Sequence, residues 1–197
     1  MRLSELSDIH SGYTARGRLE PQPDGGVPAL QLRDVSARGE IPGTDVQRYD
    51  LGDLPDRYFV RGGEVVFRSR GEPNTAVAIP DDLPEPIAVI VPLVIIRPDR
   101  ARILPDYLAW AINQPTAQSA LGAGAQGTSL RMIPMATLER LDIPVPDFQA
   151  QRRIVALSAL AMREMQLLQG LAARRTQYMS AILEQAARAT EHKDIPR

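Results

Sequence analysis

The chain has 197 residues, 44% of them hydrophobic, and a formal net charge of −1, which fits one globular domain with an appendage. It contains no Cys, which excludes disulfide bonds, thiolate metal sites and a cysteine nucleophile. The near-zero net charge lacks the basic excess of a protein that binds nucleic acid strongly by itself. The charged N-terminus is unlike a signal peptide, and no apolar run reaches membrane-spanning length, so we expect a cytoplasmic protein.

The first 100 residues predict short strands separated by turns. Leu3, Leu6 and Ile9 fit a short amphipathic turn, and residues 21–26 are rich in turn formers. Strands are predicted at residues 27–32, 57–60, 64–68 and 75–79. Residues 87–96 form the longest apolar run, and Pro92 interrupts it, so we predict one buried strand with a bend or bulge there.

The pattern becomes helical at Pro105. Helices are predicted over residues 105–112 and 115–121, followed by a flexible glycine loop at 122–129 and a short strand at 130–133. A small helix is predicted over residues 135–140, because Pro134 suits a first helical turn. Residues 141–146 should be extended, since residues before proline avoid the helical region.

A long helix is predicted from Asp147, whose carboxylate can cap free N–H groups, to about residue 187. At 1.5 Å per residue it would be roughly 60 Å long, too long to bury an apolar stripe against residues 1–146. Gly170 could mark a break. Its apolar residues recur at steps of three, four or seven and predict a coiled-coil dimer interface formed by Ile154, Leu157, Ala161, Met165, Leu168, Leu171, Met179 and Ile182.

The sequence carries no recognisable catalytic constellation. Residues 122–127 spell G-x-G-x-x-G, but a dinucleotide site needs a strand before the glycines and a helix after them, and here the predicted order is reversed. Neither His10 nor His192 lies in the setting of a catalytic base. The chain is therefore expected to bind rather than to catalyse, with no cofactor or metal of its own.

Three motifs stand above background and occur in a fixed order. They are Gly63-Glu64-Val65-Val66-Phe67-Arg68-Ser69-Arg70-Gly71, then Pro105-Asp106-Tyr107-Leu108, and last Leu138-x-x-Leu141-x-Ile143-Pro144-Val145-Pro146 followed by Gln151-Arg152-Arg153-Ile154. Together with Leu3-x-Glu5-Leu6 and Ser11-Gly12-Tyr13-Thr14, they resemble the specificity subunits of Type I restriction-modification systems over nearly the whole chain. Two features depart from that family: Glu64 stands where Asp is usual, and the usual member is about twice as long, with two recognition domains and two conserved helical regions.

The resemblance implies an α+β fold with a mainly β target-recognition domain over residues 1–146, which contains short helices. Residues 147–197 would form a conserved-region helix for dimerisation and methyltransferase docking. In that family the recognition domain reads one half of a bipartite site in double-stranded DNA. A partner methyltransferase subunit binds S-adenosylmethionine and methylates adenine at N6, and a restriction and translocation subunit is a further candidate partner. A homodimer would read a palindrome with a gap.

Two polar loops are the predicted DNA-reading segments. The first polar loop follows a predicted strand and contains Arg68, Ser69, Arg70 and Asn74. The second polar loop flanks the glycine run and contains Gln126, Thr128, Ser129 and Arg131. Arginine can bind a guanine edge and Asn or Gln an adenine edge in the major groove.

Two other functions compete with this one. The chain could be a non-catalytic adaptor or inhibitor that mimics half of a specificity subunit, or, in third place, a dinucleotide-dependent enzyme that uses the glycine loop. The initial Met and the polar ending favour a complete half-length subunit over a fragment.

Overall fold

The computed structural model describes residues 1–15, 17–22, 24–36, 41, 46–127 and 131–191, and the side chains within those ranges as far as residue 188. The chain divides into two compact units, Met1–Arg153 and Ile154–Arg197. The domain boundary between residues 146 and 147 stays a prediction.

One antiparallel sheet of unit 1 has the strand order β1, β8, β5, β6, and these strands span Ser7–Ser11, Leu93–Pro98, Val65–Arg68 and Ala76–Ala78. Val66 lies opposite Ile95 on one side and Val77 on the other. The two central strands are rich in buried β-branched residues, which suits a pleated surface covered on both faces. The strands predicted over residues 64–68 and 75–79 are confirmed, whereas β1 was not predicted.

The second sheet has the order β3, β2, β7, β4, and these strands span Arg48–Tyr49, Val27–Leu30, Ile87–Val89 and Phe59–Val60. Strands β2 and β7 are parallel and the other two pairs are antiparallel. The strand predicted over residues 57–60 is shorter than expected, because Asp56–Tyr58 form a 3-10 turn before β4. Similarly, Leu32–Asp34 form a 3-10 turn after β2.

The main core lies between the two sheets. Apolar side chains of both sheets meet there, namely Leu30, Val60, Ile87 and Val89 from one and Val66, Val77, Leu93 and Ile95 from the other. A smaller cluster, Ala29, Tyr49, Ala88 and Ile90, packs with Tyr13, Leu19 and Phe59. The α+β class is confirmed.

The apolar run at residues 87–96 forms two strands of different sheets rather than one bent strand, so that prediction was wrong. The chain leaves β7, turns at residues 90–92 and enters β8, and Leu93 N donates to Ile90 O at 3.0 Å. Pro92 has no N–H to continue a ladder, which is why the run is divided at this point.

The short helices lie close to the predicted positions. They are α1 (Pro105–Ile112), α2 (Pro115–Ala123) and α3 (Met135–Glu139), and residues 141–146 are extended as predicted. Two predictions are corrected: residues 122 and 123 end α2 instead of beginning the glycine loop, and Met132 makes only isolated bridges instead of a strand.

The N-terminal residues form backbone hydrogen bonds with the extended segment 141–146, which precedes the long helix. Leu3 N donates to Leu141 O and Ile143 N donates to Met1 O, both at 2.8 Å. Leu3 and Leu6 are fully buried, and Glu5 Oε2 accepts from Arg2 N at 3.0 Å. The opening motif Leu3-x-Glu5-Leu6 is therefore structural.

Helix α4 spans Phe148–Glu191, a length of about 66 Å. Asp147 caps it as predicted, because its Oδ1 accepts from Ala150 N at 2.8 Å. Gly170, which could have marked a break, lies within the continuous helix. Gln151, in the first turn, is fully buried: its Oε1 accepts from Leu104 N at 2.8 Å, and its Nε2 donates to Pro146 O at 2.8 Å and to Arg102 O at 3.2 Å.

The apolar stripe of unit 2 is exposed. The exposed fractions run from 40% to 66% at Leu157, Met165, Leu168, Leu171, Met179 and Ile182, while Ala161 is also exposed and Ile154 is half-buried. Across the described ranges, no helix combines the length and the apolar character needed to cross a bilayer.

Replacing Gln151 with Ala should lower the free energy of unfolding of unit 1 by about 2–4 kcal/mol, because three part-buried backbone groups lose the partner that the fully buried Gln151 side chain gives them. Chemical denaturation followed by tryptophan fluorescence measures this change, since Trp110 lies in unit 1. Gln149→Ala, on an exposed side chain two residues earlier, is the control. Equal effects of the two substitutions would contradict the structural role of Gln151.

Candidate nucleic-acid interface

The two predicted polar loops lie side by side in unit 1. Arg70 and Gln126 each form a bridge with Met132, Gly71 N donates to Arg131 O at 3.2 Å, and Ile133 N donates to Ser69 O at 2.7 Å. The two loops therefore form one surface, as a shared reading role requires. Thr128 and Ser129 lie outside the described residues.

Two predicted DNA-reading side chains are buried. Ser69 and Asn74 are only 6% and 7% exposed. Ser69 Oγ donates to Pro92 O, and Asn74 Nδ2 donates to Arg68 O at 3.0 Å. Both side chains hold the first polar loop in place, so in this conformation they cannot reach a base edge.

Arg68 is half-buried and also serves the framework. Its Nη1 donates to Val35 O at 3.0 Å, which connects the end of β5 to the segment after β2. Arg70, Gln126 and Arg131 are exposed. Arg131 is held by Gly122 O at 3.3 Å and lies 3.5 Å from Glu72, so its guanidinium is oriented without being buried. These three side chains are the predicted readers that remain available to a ligand.

A polar cavity of about 630 Å³ was missed by the sequence reasoning. We call it the arginine cleft; the polar side chains that line it are Thr14, Arg18, Gln31, Arg33, Gln47 and Tyr49. A smaller hollow of about 450 Å³ shares Gln31, Arg33, Ile90 and Val91 with it and adds Arg68. Since β5 ends at Arg68, where the first polar loop begins, the cleft and the two loops are neighbouring parts of unit 1.

Close backbone packing explains why the chain forms this cleft. A Cβ on Gly12 would lie 2.8 Å from Val89 O, so only glycine fits there. The next residue, Tyr13, donates from its N to Val89 O at 2.7 Å and accepts from Val91 N at 3.1 Å. These contacts place Thr14 in the lining of the cleft. The sequence signal that could have predicted the cleft is the set of polar residues directly after β2 and directly before β3.

Gly63, Glu64 and Tyr107 of the motifs have structural roles. Gly63 has φ of +76°, which favours glycine, and Glu64 binds Arg97 Nε at 2.9 Å and Arg61 N at 2.9 Å with its two carboxylate oxygens. Tyr107 Oη donates to Pro144 O at 2.9 Å, and burial raises the pKa of this phenol. The departure from Asp at residue 64 thus gives a carboxylate that reaches both partners.

Other surfaces fit recognition of base edges less well. A groove of about 860 Å³ between α1, α2 and α3 is mainly apolar, with Trp110, Ala117 and Pro144 in its lining. The glycine run follows helix α2 rather than a strand, so it does not have the geometry of a dinucleotide-binding turn. In the portion of the chain that is described, no group of three acidic or His side chains is placed to hold a metal.

Comparison of folds identifies the architecture. No protein-family model matches the sequence, and no curated protein matches it as a relative. The HsdS subunit of Thermoanaerobacter tengcongensis superposes with a TM-score of 0.69 at 21% identity, over 94% of this chain and 47% of that one. The chain has the fold of one half of a Type I specificity subunit.

Two further structures from Type I systems share this fold. A chain from a study of complex assembly and conformational transition of the type I R-M system gives a TM-score of 0.67 at 21% identity, over 94% of this chain and 43% of that one. The S subunit of the Type I system of M. genitalium gives 0.56 at 15% identity, over 87% and 40%. The chain thus spans less than half the length of each of these proteins.

Replacing Asn74 with Ala should lower the free energy of unfolding by about 1–3 kcal/mol, because the buried carbonyl of Arg68 loses its donor. Gln126→Ala, on the exposed side of the same surface, should change it by less than about 0.5 kcal/mol. Thermal unfolding of both variants beside the unmodified chain checks the difference. A stable Asn74→Ala variant would show that this side chain does not hold the loop.

Proposed function

We propose that this chain is a DNA-binding specificity subunit that reads one half of a bipartite site and directs N6-adenine methylation and restriction by partner subunits. The observation that carries the proposal is the specificity-subunit fold, in which the two polar loops form one surface with Arg70, Gln126 and Arg131 exposed. Arginine and amide side chains supply the donors and acceptors that distinguish base pairs in the major groove.

The net charge of −1 fits a division of labour between subunits. Phosphate contacts supply most of the affinity for DNA and position the protein, whereas contacts with base edges specify the sequence. In our proposal the methyltransferase supplies most phosphate contacts and this chain supplies base contacts. Binding of DNA by the chain alone is then weak and sensitive to salt.

The chemistry in this proposal belongs to the partners. The methyltransferase subunit holds S-adenosylmethionine and flips out the adenine, and a restriction and translocation subunit joins the same assembly. The chain itself carries no cofactor and acts in the cytoplasm, where its DNA substrate lies.

Helix α4 is the proposed dimerisation element. Its exposed stripe is long and apolar, and full burial of a Leu or Met side chain is worth about 1.5–3 kcal/mol. The same stripe on a second copy is available as a self-complementary partner, and a two-fold pair buries both. Such a coiled coil fixes the spacing between two reading domains, which then recognise two related half-sites with a gap.

A second exposed apolar row supports the docking of another subunit on the same helix. At 100° per residue, this row lies roughly a quarter turn away from the dimer stripe and contains Leu160, Leu167 and Tyr178. All three side chains are between 59% and 67% exposed. One partner helix covers a narrow stripe, so this flanking row suits the methyltransferase subunit.

Co-expression with the methyltransferase subunit of a Type I system from the same genome should yield N6-methyladenine at a gapped, palindromic motif. Long-read sequencing of the host DNA measures both motif and methylation rate. Arg70→Ala or Gln126→Ala should alter the motif or lower the rate, whereas Arg100→Ala, at the far end of β8, should change neither. A stable complex that gives no methylation would favour the adaptor or inhibitor function instead.

Replacing both Leu168 and Met179 with Glu should separate the proposed dimer. Each chain would then carry two added charges on its apolar stripe, and these charges would be buried in the dimer interface. Light scattering should then give a mass near 21.7 kDa, against about twice that for the unmodified chain. Glutamate at Gln166 and Gln177, on the opposite face of the helix, adds the same charge as a control. An unmodified chain that stays monomeric alone and with the methyltransferase would contradict the dimer.

A further inference from the structure

Arg33 in the arginine cleft has an unusual combination of exposure and fixed position. It lies in the 3-10 turn that follows β2, and its side chain is 60% exposed. Its Nη2 nevertheless donates to Gln47 Oε1 at 2.9 Å and to the hydroxyl of Tyr49. Its Nε lies 3.6 Å from Asp34 Oδ1. An exposed Arg normally keeps many rotamers, whereas this one is held from two sides.

The groups that hold Arg33 are themselves anchored. Tyr49 is 1% exposed and packs in the cluster with Ala29, Ala88 and Ile90, and its hydroxyl donates to Gln47 Oε1 at 2.9 Å. Asp34 Oδ2 accepts from Gln31 N at 2.8 Å. The guanidinium is therefore positioned by the core of the second sheet rather than by other mobile surface groups.

One nitrogen of the guanidinium, Nη1, has no hydrogen-bond partner among the described residues, whereas Nη2 donates to both Gln47 and Tyr49. Guanine presents the acceptors O6 and N7 in the major groove, and arginine is the side chain that most often binds them. A positioned Nη1 donates to one of these acceptors with little loss of conformational freedom.

The charge around Arg33 favours a base edge over a phosphate. Asp34 lies beside the guanidinium and offsets part of its positive charge, which weakens attraction for an anion but leaves the N–H donors in place. Gln47, with its Oε1 already accepting twice, cannot also accept from an adenine amino group as the paired amide contact needs. Gln47 and Tyr49 therefore position the Arg33 guanidinium rather than contact a base themselves.

We propose that Arg33 reads a guanine of the half-site and that Gln47 and Tyr49 are positioning residues for it. The assignment rests on the proposed function and adds the arginine cleft to the two polar loops as a third part of the reading surface. Arg68 lines the hollow beside Arg33, and the first polar loop with Arg70 follows it directly in the chain, so all three parts face the same DNA in this proposal.

The test uses the complex of the full chain with its methyltransferase and maps methylation by long-read sequencing. Arg33→Ala should make one guanine position of the motif degenerate, with preference for guanine reduced about tenfold or more. Arg33→Lys should lose the same preference, because the ammonium of Lys keeps the charge but lacks the planar group that Gln47 and Tyr49 hold in position. Tyr49→Phe keeps the buried ring and should lower the preference by a smaller factor while the overall methylation rate stays near that of the unmodified complex.

Arg100→Ala is the matched control, since Arg100 is an exposed, ion-paired arginine of the same unit. Thermal unfolding verifies that each variant is folded. A uniform fall in rate with guanine preference intact in Arg33→Ala, and recovery of rate in Arg33→Lys, would identify a phosphate contact and overturn the assignment. An unchanged motif in both variants would overturn it as well. Absence of methylation by the unmodified complex would overturn the proposed function, and the assignment with it.

Discussion

The crossing of the chain from β7 to β8 at residues 90–92 is the constraint on which the polar surfaces of unit 1 depend. Backbone groups that leave a sheet inside a protein must find new partners. Here Tyr13 exchanges bonds with Val89 and Val91, and Ser69 donates to Pro92 O from both its N and its hydroxyl. The first contact brings in the segment that borders the arginine cleft, and the second fixes the start of the first polar loop.

This arrangement separates the groups that build the surface from the groups that a ligand can reach. Buried side chains, those of Ser69, Asn74 and Gln151, form their hydrogen bonds with main-chain atoms. Arg70, Gln126 and Arg33 are exposed. Polar residues that are adjacent in sequence thus have opposite roles, and only their burial distinguishes them.

Local patterns predicted the helices well, and non-local pairing explains the errors. Helix α1 matches its predicted bounds because Pro105 and the apolar spacing after it are local signals. Strand β1 was missed because it pairs with a strand more than 80 residues away, and its own residues are mostly polar. The arginine cleft was missed for the same reason, since Thr14, Arg33 and Gln47 meet only when the second sheet forms. The exposed stripe of α4 was predictable because 3.6-residue periodicity is visible within a single helix.

The support of the polar loops by main-chain bonds also bears on how such a protein can change through evolution. Gly71, Arg131, Ile133 and Gln126 are connected through backbone atoms, which every residue type except proline supplies. The exposed side chains of the two polar loops can therefore be replaced by mutation without loss of the backbone hydrogen bonds that hold the loops together. If the chain reads DNA as proposed, its target sequence can change by small steps while the sheets and the long helix stay as they are.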